Sequence, residues 1–168
     1  PMSLQIIAID SRIATSQLLA ALPAASHVLI INSQRDGLEQ LVAALAGLHD
    51  IDSLHLLTHA DSGSLLLGSS NLDRDALSAH SELLRTLSSQ LSASADLLLY
   101  GCNLAAGSAG QAFIAQLASL TGADVAASSD LSGVGGDWVL EASTGQIETT
   151  GLELGTLAGT LQSFYGGT

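Results

Sequence analysis

Ala95-Asp96-Leu97-Leu98-Leu99-Tyr100-Gly101-Cys102-Asn103 reads as a strand that stops at a glycine and a cysteine. Its apolar stretch Leu97–Tyr100 is strand-sized. A second run, Ser53-Leu54-His55-Leu56-Leu57-Thr58-His59, has the same character and ends on a histidine. If the two strands are parallel neighbours, both reactive side chains meet at one edge of the sheet.

The rest of the chain supports that layout. Leu4-Gln5-Ile6-Ile7-Ala8-Ile9 predicts a first strand ending at Asp10, followed by a helix from about Arg12 to Leu22. His27–Ile31 predicts the second strand. Asp36 has the character of a helix N-cap, with Leu38, Leu41, Val42 and Leu45 on one face of the helix behind it. Leu54–Thr58 is the third strand. A Gly/Ser-rich loop follows, then a short hairpin strand at Leu65-Leu66-Leu67-Gly68. Asp73 caps a long helix reaching roughly Leu91, and Leu97–Tyr100 is the fourth central strand. Ser108–Leu120 predicts a helix stopped by Gly122, and Asp124–Ala127 a fifth strand. Trp138–Glu141 and Gln146–Thr149 are expected to pair as a C-terminal β-hairpin across Ser143-Thr144-Gly145. Residues 1–150 form one expected domain, and 151–168, rich in Gly, Thr and Leu, an expected linker or tail.

Strand-helix alternation of this kind predicts an α/β three-layer sandwich with a mostly parallel sheet and right-handed crossovers. The expected central order is 2-1-3-4-5. Asp10, His59, Cys102 and Ser128–Asp130 all follow strands, so parallel topology puts them on the carboxyl edge, where such folds bind ligands.

Composition narrows the partners. Of 168 residues, 47% are hydrophobic and only 3% aromatic, so the core must be built from Leu, Ile, Val and Ala. Sixteen acidic residues face four basic ones, all arginine, and the net charge is -12. That charge repels phosphate backbones and anionic membrane surfaces, which argues against nucleic-acid partners. The longest apolar runs are strand-sized, so no membrane insertion is expected. The start Pro1-Met2-Ser3 has no basic stretch before its apolar run, so no signal peptide is expected. A proline ahead of methionine suggests a domain cut from a longer chain. The single cysteine excludes an internal disulfide.

A thiol beside an imidazole is the minimum apparatus for nucleophilic catalysis. Adjacent strands lie ~4.8 Å apart, so residues that end neighbouring strands can share one substrate group. Gly101 permits an unusual backbone angle before Cys102, and a helix starting near Ser108 helps lower a thiol pKa. Backbone N–H groups in Ala60-Asp61-Ser62-Gly63-Ser64 can donate to an oxyanion. The plainer readings are a cysteine packed as a small hydrophobe and a satisfied histidine at a strand end. His27, His49, His55 and His80 are weaker candidates, beginning a strand, lying in a loop, inside a strand and inside a helix. The chain lacks an HExxH zinc motif and the cysteines of a multi-cysteine metal site. It also lacks a phosphate-binding loop with lysine, a GxGxxG after the first strand and a G-x-S-x-G elbow. The loop after Cys102 has no arginine to hold a phosphate, unlike a cysteine phosphatase. No metal and no cofactor is expected.

The pairing of a histidine after the third strand with a cysteine after the fourth resembles the caspase-like cysteine peptidases. More closely, Thr58-His59, Gly63–Gly68, Leu99–Ala105, Gly110-Gln111-Ala112-Phe113, Thr121–Ser128 and Gly135-Gly136-Asp137-Trp138 resemble an uncharacterised bacterial domain family of giant repetitive surface proteins. The resemblance covers roughly Leu4 to Gly151. It implies that Cys102 attacks a scissile carbonyl, that His59 is acid and base, and that the N–H groups of Ala60 and Cys102 hold the oxyanion. It also implies a protein or peptide substrate, the parent chain included, and a secreted or cell-surface location. The usual His-Gly pair is His59-Ala60 here, so an oxyanion geometry that needs positive φ would be strained. By position Asp10 resembles a residue lining the specificity pocket, which would favour cleavage after Arg or Lys. A helix N-cap or turn role is the alternative for Asp10. Asp130, beside Ser128 and Ser129, lines a pocket or begins a turn. The rival to the peptidase reading is a non-catalytic α/β module that folds or displays a large surface adhesin.

Overall fold

The computed structural model describes residues 4–13, 19–20, 22, 27–100, 104–127, 140, 142–145 and 147. The strands and helices are β1 (Leu4–Asp10), β2 (His27–Ile31), α1 (Gly37–Ala44), β3 (Ile51–Leu57), β4 (His59–Asp61), β5 (Ser64–Leu67) and β6 (Ser70–Leu72). They continue with α2 (Arg74–Ala79), α3 (Ser81–Gln90), β7 (Leu91–Tyr100), α4 (Gly107–Thr121), β8 (Asp124–Ala127) and β9 (Ala142–Thr144).

Six strands form the main sheet in the order β2-β1-β3-β7-β8-β9. Pairing is parallel from β2 through β8, and β9 joins β8 antiparallel. The expected central order 2-1-3-4-5 is therefore the observed one, with β7 and β8 as its fourth and fifth strands. A second sheet, β4-β5-β6, is antiparallel and is inserted between β3 and α2.

The strands at the centre bury both faces. Ile6, Ala8, Leu54, Leu56, Leu97, Leu99, Val125 and Ala127 share one face and pack in a cluster with helical side chains. Leu38, Leu41 and Leu45 come from α1 and its C-cap, Leu77 from α2, Leu84 and Leu87 from α3, and Phe113, Ile114 and Leu117 from α4. Ile7, Ile9, His55, Leu57, Leu98, Tyr100 and Ala126 alternate with the first set and are also buried. A parallel sheet buried on both faces is the signature of a layered α/β fold.

Local chemistry explains the helix ends. The Asp36 side chain accepts the Glu39 N–H at 2.9 Å and caps α1, as its sequence position predicts. Asp73 caps α2 in the same way through the Ala76 N–H. The predicted single helix from Asp73 to Leu91 is instead two, broken at His80, whose Nδ1 lies 2.8 Å from the Ala76 carbonyl. α4 ends on the left-handed Gly122, as expected.

Two other boundaries differ from expectation. β7 begins at Leu91 rather than near Leu97, and Leu91 pairs with Ile51 beyond an irregularity in the register. Ala142–Thr144, expected at the turn of a C-terminal hairpin, is strand β9 on the sheet edge. The two expected arms of that hairpin lie largely outside the described residues, as does the first helix. The expected tail, 151–168, lies wholly outside them.

Candidate functional site at the carboxyl edge of the sheet

β1, β3, β7 and β8 are parallel, so Asp10, Leu57, Tyr100 and Ala127 end their strands at one edge. Leu57 pairs with Tyr100, and the Thr58 N–H donates to the Tyr100 carbonyl at 3.4 Å. The pairing of β3 and β7 thus holds to the last residue of both strands. His59 stands two residues beyond Leu57, and Cys102 two residues beyond Tyr100. Cys102 lies outside the described residues, as do Ser128 and Asp130.

His59 opens β4 opposite Leu66 and is buried, 7% exposed. Ala60 follows in β4 opposite Leu65 and is also buried. Among the described residues only Asp50 is a non-glycine with positive φ, so Ala60 is not in the left-handed region and carries no strain from its side chain.

The β4–β5 hairpin is fastened at two points. At its turn, the Gly63 N–H donates to the Leu104 carbonyl at 3.0 Å, and the Ser62 hydroxyl donates to the Ala106 carbonyl at 2.6 Å. Leu104 and Ala106 belong to the short link between Cys102 and α4. Gly63 has φ of 79°, and a Cβ there would crowd Ala109 of α4, so the approach demands glycine. Ser62 and Gly63 also line an open polar groove of about 440 Å³ with Ser64, Asn71, Asp73 and Arg74.

The second anchor is at Gly68, just past β5. Its N–H donates to Asp10 Oδ2 at 3.0 Å, and its carbonyl accepts Arg12 Nη2 at 2.8 Å. Asp10 is fully buried. Its Oδ2 also receives Arg12 Nη1 at 2.8 Å, and its Oδ1 receives the Arg12 backbone N–H at 2.9 Å. Arg12 Nη2 further donates to the Ser33 carbonyl at 3.2 Å. The Asp10 carboxylate is therefore engaged within the chain by an arginine and two backbone amides. Part of this matches the turn role weighed for it: Asp10 holds the N–H of the residue two positions on. From sequence, the Ser62 segment reads as an oxyanion donor, Gly68 as a hairpin residue and Arg12 as a helix start; their ties to Ala106 and Asp10 have no signal there.

A buried polar pair links β3 and β7 just below this edge. His55 Nδ1 lies 3.0 Å from the Tyr100 hydroxyl, and the rings stack with centroids 5.7 Å apart. Burial pushes the His55 pKa down to about 4, against the opposing pull of the Asp96 carboxylate. His55 is thus a neutral, structural histidine. His49 is exposed beside Asp50. His80 lies 3.5 Å from the Asp36 carboxylate.

No helix among the described residues is long and apolar enough to cross a membrane.

The fold and edge define a mostly parallel α/β protein with an antiparallel hairpin inserted at the carboxyl edge. The chain belongs to the DUF4347 family, described as a domain of unknown function, whose family model matches residues 6–165. No curated protein matches the chain.

Proposed function

We propose that this domain is a cysteine endopeptidase of caspase-like type. The observation that carries the reading is the Leu57–Tyr100 register, with the Thr58 N–H on the Tyr100 carbonyl. Two residues span at most ~7 Å, so chain length alone limits how far His59 and Cys102 can stand from the paired strand ends Leu57 and Tyr100. The hydrogen bonds from Ser62 and Gly63 to Ala106 and Leu104 add support, because they tie the histidine hairpin to the link that follows the cysteine.

In this reading the Cys102 thiolate attacks the scissile carbonyl carbon and forms a C–S bond. The carbonyl electron pair moves to oxygen, where the N–H groups of Ala60 and Cys102 receive it. Protonated His59 gives its proton to the departing amine as the C–N bond breaks. Water then loses a proton to His59 and attacks the thioester, and collapse breaks the C–S bond, releasing the acid and restoring the thiolate and the protonated His59. The groove beside Ser62 and Gly63 is large enough for a few residues of an extended chain. The substrate is a protein, with the domain's own large parent chain among the candidates, and the setting is secreted or at the cell surface.

A non-catalytic folding or display module of a surface adhesin is the second reading. The burial of His59 favours it, since a histidine at 7% exposure is often purely structural. A peptidyl acyloxymethyl ketone series separates the two. The peptidase reading expects an adduct on Cys102 in the native protein, lost in His59→Ala. Alkylation no faster than that of a free cysteine, with every member of the series, would establish the module.

A further inference from the structure

Asp10 and Arg12 form a heavily bonded polar cluster among the described residues of the carboxyl edge, and the catalytic scheme uses neither. Arg12 is one of only four basic residues in the chain. Its guanidinium is directed inward at three segments: the end of β1 through Asp10, the exit of β2 through the Ser33 carbonyl, and the end of β5 through the Gly68 carbonyl. Asp10 reaches the same corner independently through the Gly68 N–H. Gly68 has no room to yield. Its φ is 63°, and a Cβ there would collide with the Arg35 carbonyl and the Gly37 backbone. Ser69 and Ser70 lock the adjoining residues by bonds to the Arg35 carbonyl and the Asp36 carboxylate.

Gly68 lies two residues beyond Leu66, and Leu66 is the β5 partner of His59. Whatever fixes Gly68 therefore fixes the register of the strand opposite His59. We infer that Asp10 and Arg12 are positioning residues that hold the β4–β5 hairpin and so fix His59 for its proposed work with Cys102. In this assignment the Asp10 carboxylate serves Arg12 and not a substrate side chain, so cleavage does not require a basic residue. The inference rests on the peptidase reading of His59 and Cys102.

A guanidinium is needed for this geometry, because one planar group must meet a carboxylate and two carbonyls at once. An ammonium keeps the ion pair but cannot span all three. Arg12→Lys thus separates positioning from charge, and Arg12→Gln removes both.

The test is the pH dependence of Cys102 alkylation by iodoacetamide, followed by mass spectrometry on the intact folded protein. As the only cysteine, Cys102 reports without ambiguity. A thiolate paired with a nearby imidazolium reacts at a pH well below the ordinary thiol pKa of about 8.5. The wild type is expected to show such a profile, and His59→Ala to move it toward 8.5. Arg12→Lys and Arg12→Gln are expected to move it in the same direction by about one pH unit. That corresponds to roughly tenfold slower alkylation on the rising limb. Circular dichroism and thermal melts at the assay temperature establish that each variant is folded. Should Arg12→Gln fail to fold, the Arg12→Lys profile decides. A wild-type profile in Arg12→Lys, despite a lowered melting temperature, would show a merely structural clamp and overturn the inference. Faster alkylation in either variant would overturn it too, by making Arg12 a plug over the site. If His59→Ala itself leaves the profile unmoved, the dyad reading fails, and this result is distinct from failure of the clamp. As a second readout, a peptide library cleaved by the wild type should show no dependence on Arg or Lys before the cut. A strict basic preference abolished by Asp10→Asn would return Asp10 to the substrate pocket.

Discussion

Acidification should unfold this domain partly through His55. The side chain is fully buried on β3, stacked on Tyr100, and its pKa is pushed down by burial to about 4. In the unfolded chain it returns to the ordinary 6.5. Between these values the unfolded state binds a proton that the folded state refuses. Stability from this group is therefore complete above about pH 6.5 and is lost as pH falls toward 4. From pH 7 to 4.5 the linkage relation gives a loss of about 2.5 kcal/mol. Asp36 does not confuse the interval. Burial alone would raise its pKa, but the Glu39 and Leu38 N–H groups, the Ser70 hydroxyl and His80 together hold it below 3.8. Its contribution is present above its unfolded pKa and is lost only at more acid pH. The assay is urea denaturation of wild type and His55→Gln at pH 7 and 4.5. Glutamine cannot titrate but can still hydrogen-bond to the Tyr100 hydroxyl. With a slope of roughly 2 kcal/mol per molar urea, the wild-type midpoint should fall by about 1 M more than that of the variant. Equal falls would show that His55 is not held neutral by its surroundings.

Cys102→Ala should abolish any peptidase activity while changing stability by about 1 kcal/mol or less; loss of cooperative unfolding would place the thiol in the core instead. Asp36→Ala removes the α1 cap and the acceptor of the Ser70 hydroxyl, so calorimetry should show a loss of about 1–2 kcal/mol. Phe113→Ala empties a fully buried position between α4 and the sheet and should cost about 3–5 kcal/mol in chemical denaturation, with a cost under 1 kcal/mol ruling out the packing described.

The parts of the fold legible in the sequence are those where chemistry is local. Ile6–Ile9, Leu54–Leu57 and Leu97–Tyr100 are buried on both faces, so their runs are apolar but for His55 and easy to read. Asp36, Asp73 and Gly122 mark helix ends because capping depends on residues within one turn. The first half of β7 was hidden because Ser92-Ala93-Ser94-Ala95 has neither β-branched nor aromatic residues, and tertiary pairing alone extends the strand. β9 was hidden because Ser143 and Thr144 followed by glycine resemble a turn, and only the open edge of β8 makes a strand of them. At the site, the placement of His59 after β3 followed from strand ends and parallel topology. The tie of Asp10 and Arg12 to Gly68 did not, because Gly68 is more than fifty residues from both and no local pattern joins them.

The order of the sheet also constrains how the domain can be made. β1 lies between β2 and β3, and Ile6 aligns with Leu54, so its second neighbour is synthesised about fifty residues after it. β3 waits in turn for Leu97 of β7. With its central pairings so distant along the chain, the domain is expected to fold more slowly than a helical bundle of its size. During that wait Leu4–Ile9 and Leu54–Leu57 are bare apolar strands able to pair with the wrong chain. The net charge of -12 is expected to oppose such mispairing, because like-charged unfolded copies repel one another.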